Sequence, residues 1–216
     1  MKFFIDTASI KDIKTAVEWG VVDGVTTNPT LLAKEGRSPT DAIRDIARIV
    51  KGPVSVEALG PEAERLVTEA RQYRKLASNI VVKIPMTQDG MKAVRTLSRE
   101  KVKTNVTLVF SPTQALIAAK AGATFVSPFI GRLDDIGQDG MQVARDIIAI
   151  FRNYGFKTQV IVASVRHPRH VIEAAKAGAD VATIPFSVLE RLFAHKLTDK
   201  GIRLFNEDWE KLQKKR

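Results

Sequence analysis

The sequence predicts an α/β protein: a single (β/α)8 TIM barrel with parallel strands and an additional C-terminal helix. Three observations carry this. Short apolar runs alternate with amphipathic stretches from one end of the chain to the other, and such alternation in one compact chain builds a parallel sheet with helices outside. The strand-like runs number eight. Polar residues recur in phase near the C-terminal ends of those runs, where a barrel carries its site. An open doubly wound sheet is the structural alternative, although no Gly-x-Gly-x-x-Gly turn marks a dinucleotide site. At 216 residues the chain is short for a barrel. It shows no linker or second composition regime, so 1–216 reads as one domain, with 199–212 as a C-terminal helix.

The strand runs fall at 2–6, 24–28, 54–58, 80–84, 105–109, 124–129, 159–164 and 181–185. Helical stretches lie between them at 10–19, 39–50, 61–77, 90–100, 112–121, 141–154 and 168–177, and two more follow near 187–194 and 199–212. Ser38-Pro-Thr-Asp41 and Ser111-Pro-Thr-Gln114 each place a capping hydroxyl before a proline at the first helical position. Gly122 and Gly178 follow alanine-rich helices, as left-handed C-terminal caps do. Ala118-Ala-Lys-Ala-Gly-Ala123 recurs as Ala174-Ala-Lys-Ala-Gly-Ala179, and each copy leads into a strand ending in Pro-Phe. These read as two equivalent helix-to-strand units.

Side chains alternate across a strand. Setting the apolar members outward against helices turns Asp6, Thr26, Asn28, Ser55, Glu57, Lys83, Asn105, Thr107, Ser127 and Phe129 inward. Placing Ile161 and Ala163 outward adds Ser164. Seven of the eight strands then offer an inward polar residue. Each has a plain explanation: Asn28 before Pro29 suits a helix N-cap, Glu57 can simply neutralise Lys83, and serine or threonine at a strand end can satisfy backbone groups. Their common phase favours one polar chamber, because isolated buried polar groups are costly.

Lys83, in Asn79-Ile-Val-Val-Lys-Ile-Pro85, is the sharpest chemical signal. Burial disfavours a charged lysine, and a neutral amine can add to a carbonyl to form a Schiff base. The alternatives are a lysine that reaches solvent or one that pairs with a carboxylate. Arg132 and Arg166 follow the sixth and seventh runs, where barrels commonly bind phosphate. Arginine suits forked recognition of phosphate oxygens. Two surface charges remain the alternative.

Composition narrows the classes. Hydrophobic residues make up 44% and charged residues 27%, as in soluble globular proteins. No apolar run has the length of a membrane span, and Met1-Lys-Phe-Phe-Ile-Asp6 meets an acid too early for a signal peptide. There are no cysteines, which excludes disulfides and thiolate chemistry. A reducing, cytoplasmic location is expected. The formal charge of +10 points to anionic partners, but the basic residues are dispersed rather than gathered into a nucleic-acid arm. Neither a nucleic-acid nor a membrane partner is expected. The acidic stretch 132–140 does not match an EF-hand loop, and His167, His170 and His195 lack metal-ligand spacing.

At this point longer motifs come into view. Phe4-Ile-Asp6-Thr-Ala8, Gly24-Val-Thr-Thr-Asn-Pro-Thr30, Val82-Lys-Ile-Pro-Met-Thr87, Thr104-Asn-Val-Thr-Leu-Val-Phe110, Val126-Ser-Pro-Phe-Ile-Gly-Arg-Leu-Asp-Asp135 and Ala163-Ser-Val-Arg166 resemble the transaldolases. More closely, the chain resembles their short branch related to fructose-6-phosphate aldolase. The resemblance runs essentially from end to end. It implies a Schiff-base lysine at Lys83, a general acid/base at Asp6, and Glu57 and Thr107 holding the water of imine formation. It implies dihydroxyacetone binding by Asn28, Asn105 and Ser127, with Thr26 beside them, and a phosphate site at Arg132, Ser164 and Arg166. No metal or organic cofactor is implied. Glu57 and Phe129 follow the transaldolase pattern, where the sister aldolases carry glutamine and tyrosine. Phenylalanine has no hydroxyl with which to orient water, so an enamine is expected to wait for an acceptor aldehyde. The implied substrates are sugar phosphates, and the implied assembly is a homo-oligomer, a pentamer or decamer, with the C-terminal helix reaching a neighbour.

Overall fold

The computed structural model describes residues 1–214. Eight parallel strands close into a barrel in sequence order: β1 (Lys2–Asp6), β2 (Gly24–Thr26), β3 (Val54–Glu57), β4 (Ile80–Pro85), β5 (Thr104–Val109), β6 (Phe125–Pro128), β7 (Gln159–Val162) and β8 (Val181–Ile184). The intervening helices are α1 (Ile10–Glu18), the short α2 (Pro29–Lys34), α3 (Pro39–Ile49), α4 (Ala63–Arg74), α5 (Gln88–Arg99), α6 (Pro112–Ala121), the short α7 (Ile130–Asp134), α8 (Gly140–Tyr154) and α9 (Pro168–Ala177). After β8 come α10 (Phe186–Arg191) and α11 (Lys196–Gln213). The fold is a (β/α)8 TIM barrel with a C-terminal helix. α11 begins three residues before the expected start, at a cap made by His195, whose Nδ1 accepts from Leu197 N at 3.1 Å.

Capping explains most helix starts. Ser9, Asn28, Thr87, Ser111 and Asp139 each accept a hydrogen bond from the backbone N–H at the third helical position, satisfying a donor the helix itself cannot. Ser38, expected to cap α3, makes no such bond, and neither do Glu62, Phe129 and Pro185 before α4, α7 and α10. Gly122 and Gly178 hold φ of 98° and 81°. In both echoed units the alanine after the glycine donates back to the first alanine of the repeat at 3.1 Å. The repeat is therefore structural: α6–β6 and α9–β8 are the same unit placed two strands apart.

The outer strand faces pack on helices through residues such as Ile5, Val25, Val56, Val82 and Val126. The lower barrel interior is filled by Phe4, Val81, Phe125, Ile161 and Val181. Gly24 leaves room for this plug, since a Cβ there would lie 2.6 Å from the Phe4 ring and 2.7 Å from the Pro53 carbonyl oxygen.

Three expected orientations are corrected. Ile161 points into the barrel, not out, and Ala163, on the same face, lines the chamber. Val160-Ile-Val-Ala163 is apolar on both faces, so it carries no alternation signal. Ser164 still reaches the chamber because its left-handed backbone (φ 61°) breaks the alternation. Leu108 does not pack outward beside Val106. The β5–β6 register shifts between Val106 and Val109, Leu108 takes φ 58°, and Val109 fills the outer core. A one-residue irregularity of this kind redirects every later side chain.

Candidate active site

Polar groups replace the plug above the apolar layer. Strand register sets Glu57 beside Lys83 and Lys83 beside Asn105, with Asp6 level with Thr26. The resulting chamber has two lobes. One, of about 200 Å³, is lined by Asp6, Thr26, Asn105, Ser127, Ser164 and Arg166 among others. The other, of about 400 Å³, is lined by Glu57, Thr107, Leu108 and the start of α2. Asn28, Lys83, Phe129 and Arg132 border both. The twelve side chains given a site role in the sequence all line this mouth, and only Ser55, also turned inward, lines neither lobe.

Lys83 retains only 5% of its surface. Its Nζ donates to the Thr27 carbonyl oxygen at 3.0 Å and lies 3.0 Å from Glu57 Oε2. The amine is therefore neither a solvent-seeking lysine nor an isolated one. It sits at the seam between the lobes, held by an acceptor behind it and a carboxylate beside it. The carboxylate pairing given as an alternative is thus present, with Glu57 itself facing the chamber.

Asp6 faces the chamber from the end of β1. Thr26 Oγ1 donates to Asp6 Oδ1 at 2.7 Å. Burial raises the Asp6 pKa above its ordinary 3.8. The Thr26 hydrogen bond and the positive charge of Lys83 pull it back down, and Glu57 adds a smaller upward push. A carboxyl poised by opposing influences suits proton transfer.

The floor is ordered by hydrogen bonds. Ser127 Oγ donates to Asn105 Oδ1 at 2.7 Å, and Asn105 Nδ2 donates to Ser55 Oγ at 3.4 Å. Thr107 Oγ1 is buried without a protein partner, an arrangement that leaves it free to bind water or substrate. Asn28 caps α2, its Oδ1 accepting from Leu31 N at 2.9 Å, while its amide group borders both lobes.

The cationic rim rests on α7, which sequence patterning had missed. Arg132 lies over the Phe129 ring, 5.3 Å from its centroid, and Phe110 meets the same ring edge-on at 6.0 Å. Gly131 lets α7 pass beneath the β7 loop, since a Cβ there would meet the Ser164 carbonyl oxygen and the Arg166 side chain. Arg166 pairs with Asp135 at 2.8 Å. Its backbone N–H donates to His170 Nδ1 at 3.3 Å, and His170 Nε2 lies 3.2 Å from Asp134. Burial, then the neighbouring His167, holds His170 below the ordinary histidine value. The histidine accordingly braces the loop in its neutral form. His167 and His195 serve as helix caps.

Among the described residues, two of the three non-glycine residues with positive φ, Leu108 and Ser164, line this mouth. Strained backbone commonly gathers at functional sites. Among the described residues, no group of three or more His, Asp or Glu side chains converges as metal ligands do. The site offers an amine, two carboxylates, neutral hydrogen-bonding groups and two guanidinium groups.

Thr183 and Leu108 also line the chamber and were missed. Thr183 was legible, being the inward member of Val181-Ala-Thr-Ile184, and it gives β8 the inward polar residue it had been thought to lack. Leu108 was not, because its orientation depends on the bulge.

A parallel barrel with titratable groups gathered at the C-terminal mouth is an enzyme of the (β/α)8 class. Residues 3–216 match the family model described as transaldolase/fructose-6-phosphate aldolase, and the chain belongs to that family. It is 63% identical over 214 residues to a probable transaldolase of Thermodesulfovibrio yellowstonii, covering 99% of this chain and 100% of the relative. A probable transaldolase of Hydrogenobaculum sp. is 63% identical over 215 residues, 100% of this chain and 99% of its own length. Another, of Caldicellulosiruptor saccharolyticus, is 59% identical over 216 residues, the whole of both chains.

Proposed function

We propose that this enzyme is a transaldolase that carries a dihydroxyacetone unit on Lys83. The donor is sedoheptulose 7-phosphate or fructose 6-phosphate, and the acceptor is glyceraldehyde 3-phosphate or erythrose 4-phosphate. The observation that carries the reading is the buried amine of Lys83 beside Glu57, facing the same chamber as Asp6.

Once its proton has passed to Glu57, the Lys83 amine adds to the donor ketone. Loss of water gives the iminium, with Glu57 and Thr107 holding the leaving water. Asp6 removes the C4 hydroxyl proton. The C3–C4 bond breaks, its electrons move into the iminium as an enamine forms, and the aldose phosphate departs with a new aldehyde. The enamine then adds to the acceptor, Asp6 returns its proton to the new alkoxide, and water releases the product ketose. Thr26, Asn28, Asn105 and Ser127 hold the hydroxyls of the three-carbon unit. Arg132, Ser164 and Arg166 hold the distal phosphate, with Arg166 exchanging Asp135 for phosphate oxygens. Phe129 presents a ring without a donor where water would need orienting to protonate the enamine.

The test compares fructose 6-phosphate consumption and free dihydroxyacetone release with and without erythrose 4-phosphate. Transfer predicts consumption that depends on the acceptor, with little free dihydroxyacetone. Release at the same rate whether or not the acceptor is present would make the enzyme an aldolase and refute the reading.

A further inference from the structure

Asp6 lies between two threonines that meet across the inner face of its strand. Thr26 stands on β2 and Thr183 on β8, the two neighbours of β1. Both are 3% exposed, and their hydroxyl oxygens are 2.5 Å apart. Thr26 Oγ1 is in turn 2.7 Å from Asp6 Oδ1. Each hydroxyl has one proton to give. An ionised carboxylate can only accept, so the single Thr26 proton goes to Asp6. The proton between the threonines must therefore come from Thr183.

We propose that Thr183 is a positioning residue for Asp6: by donating to Thr26 it commits the Thr26 proton to the carboxylate and so sets how tightly Asp6 holds its own proton. Donors in series polarise one another, so the ionised form of Asp6 is favoured beyond what Thr26 alone supplies. The charged groups that bear on Asp6 from other strands are Lys83 on β4 and Glu57 on β3. Neither touches Thr183 by hydrogen bond, so substituting Thr183 leaves both in place. The catalytic consequence rests on the reading of Asp6 as the acid/base of the transfer.

The experiment follows the Asp6 carboxyl by carbon NMR in aspartate-labelled protein and, separately, the pH dependence of kcat. In Thr183→Val the Asp6 midpoint should rise by about half a pH unit, the acid limb of kcat should rise with it, and KM should hold. Thr183→Ser should restore both, and Thr26→Val should shift both at least as far. If Thr183→Val does not fold, Thr183→Ala removes the same donor without requiring a fit for the valine methyl. An Asp6 midpoint unchanged in these variants, or a shift that serine fails to reverse, overturns the relay. A midpoint that moves while the kcat limb stays fixed supports the relay and removes Asp6 from the proton transfers of the proposed function.

Discussion

Burial holds the Asp6 proton more tightly in the folded chain than in the unfolded one. The folded pKa is raised above 3.8, so keeping Asp6 ionised costs stability at neutral pH, and that cost falls away as pH drops through the folded value toward 3.8. Asp6→Asn should therefore unfold at a higher temperature than the native protein near pH 7, with the gap closing toward pH 4, while turnover falls by 10²-fold or more, an order of magnitude taken from general acid–base catalysis. Thermal melts at the two pH values and a turnover assay check this. For the native enzyme, Asp6 acting as base places the acid limb of kcat above 3.8. A different balance holds at Lys83. Glu57→Gln would leave the amine beside a neutral amide, removing its proton acceptor, and should slow Schiff-base formation by about 10²-fold or more while leaving phosphate binding intact. Single-turnover kinetics with fructose 6-phosphate measures the step. Most of this chamber was legible residue by residue, because polar side chains in an alternating apolar strand can point only one way. Leu108 was not legible, since no local pattern announces a left-handed leucine.

Elements were legible where one periodicity dominated. β4 reads Ile80-Val-Val-Lys-Ile-Pro85, and the charge fixes its inner face. β7 reads Gln159-Val-Ile-Val162 and fixes nothing, which is why Ile161 was turned the wrong way. The short helices α2 and α7 have too few turns to display an apolar stripe, yet α7 carries Arg132. Glycine at the base of β2 is an element-scale requirement: Gly24→Ala pushes a methyl group against the Phe4 ring and the Pro53 carbonyl. The overpacking should cost about 1–3 kcal/mol, read as a lowered denaturation midpoint with Lys83 chemistry preserved in the folded fraction.

At the scale of the whole molecule, α11 buries none of its residues. Phe205 is 76% and Trp209 63% exposed, and Leu197, Ile202, Leu204 and Leu212 are exposed with them. An 18-residue helix with this much apolar surface is what the homo-oligomer implied by the resemblance would cover with a neighbouring subunit. Sedimentation should give a mass several times 23.8 kDa, and Phe205→Ser with Trp209→Ser should shift it toward the single chain. A native mass of one chain would refute the assembly. The sequence could announce the helix but not its partner, because an unpaired apolar stripe states only that something covers it. The wider account turns on a covalent bond between Lys83 and the donor sugar. The most direct measurement is borohydride reduction in the presence of fructose 6-phosphate, followed by peptide mass analysis. Reduction traps the iminium, so one stable adduct of the donor sugar is predicted on Lys83, and none in Lys83→Ala. An unmodified Lys83, or an adduct on a different lysine, would contradict it.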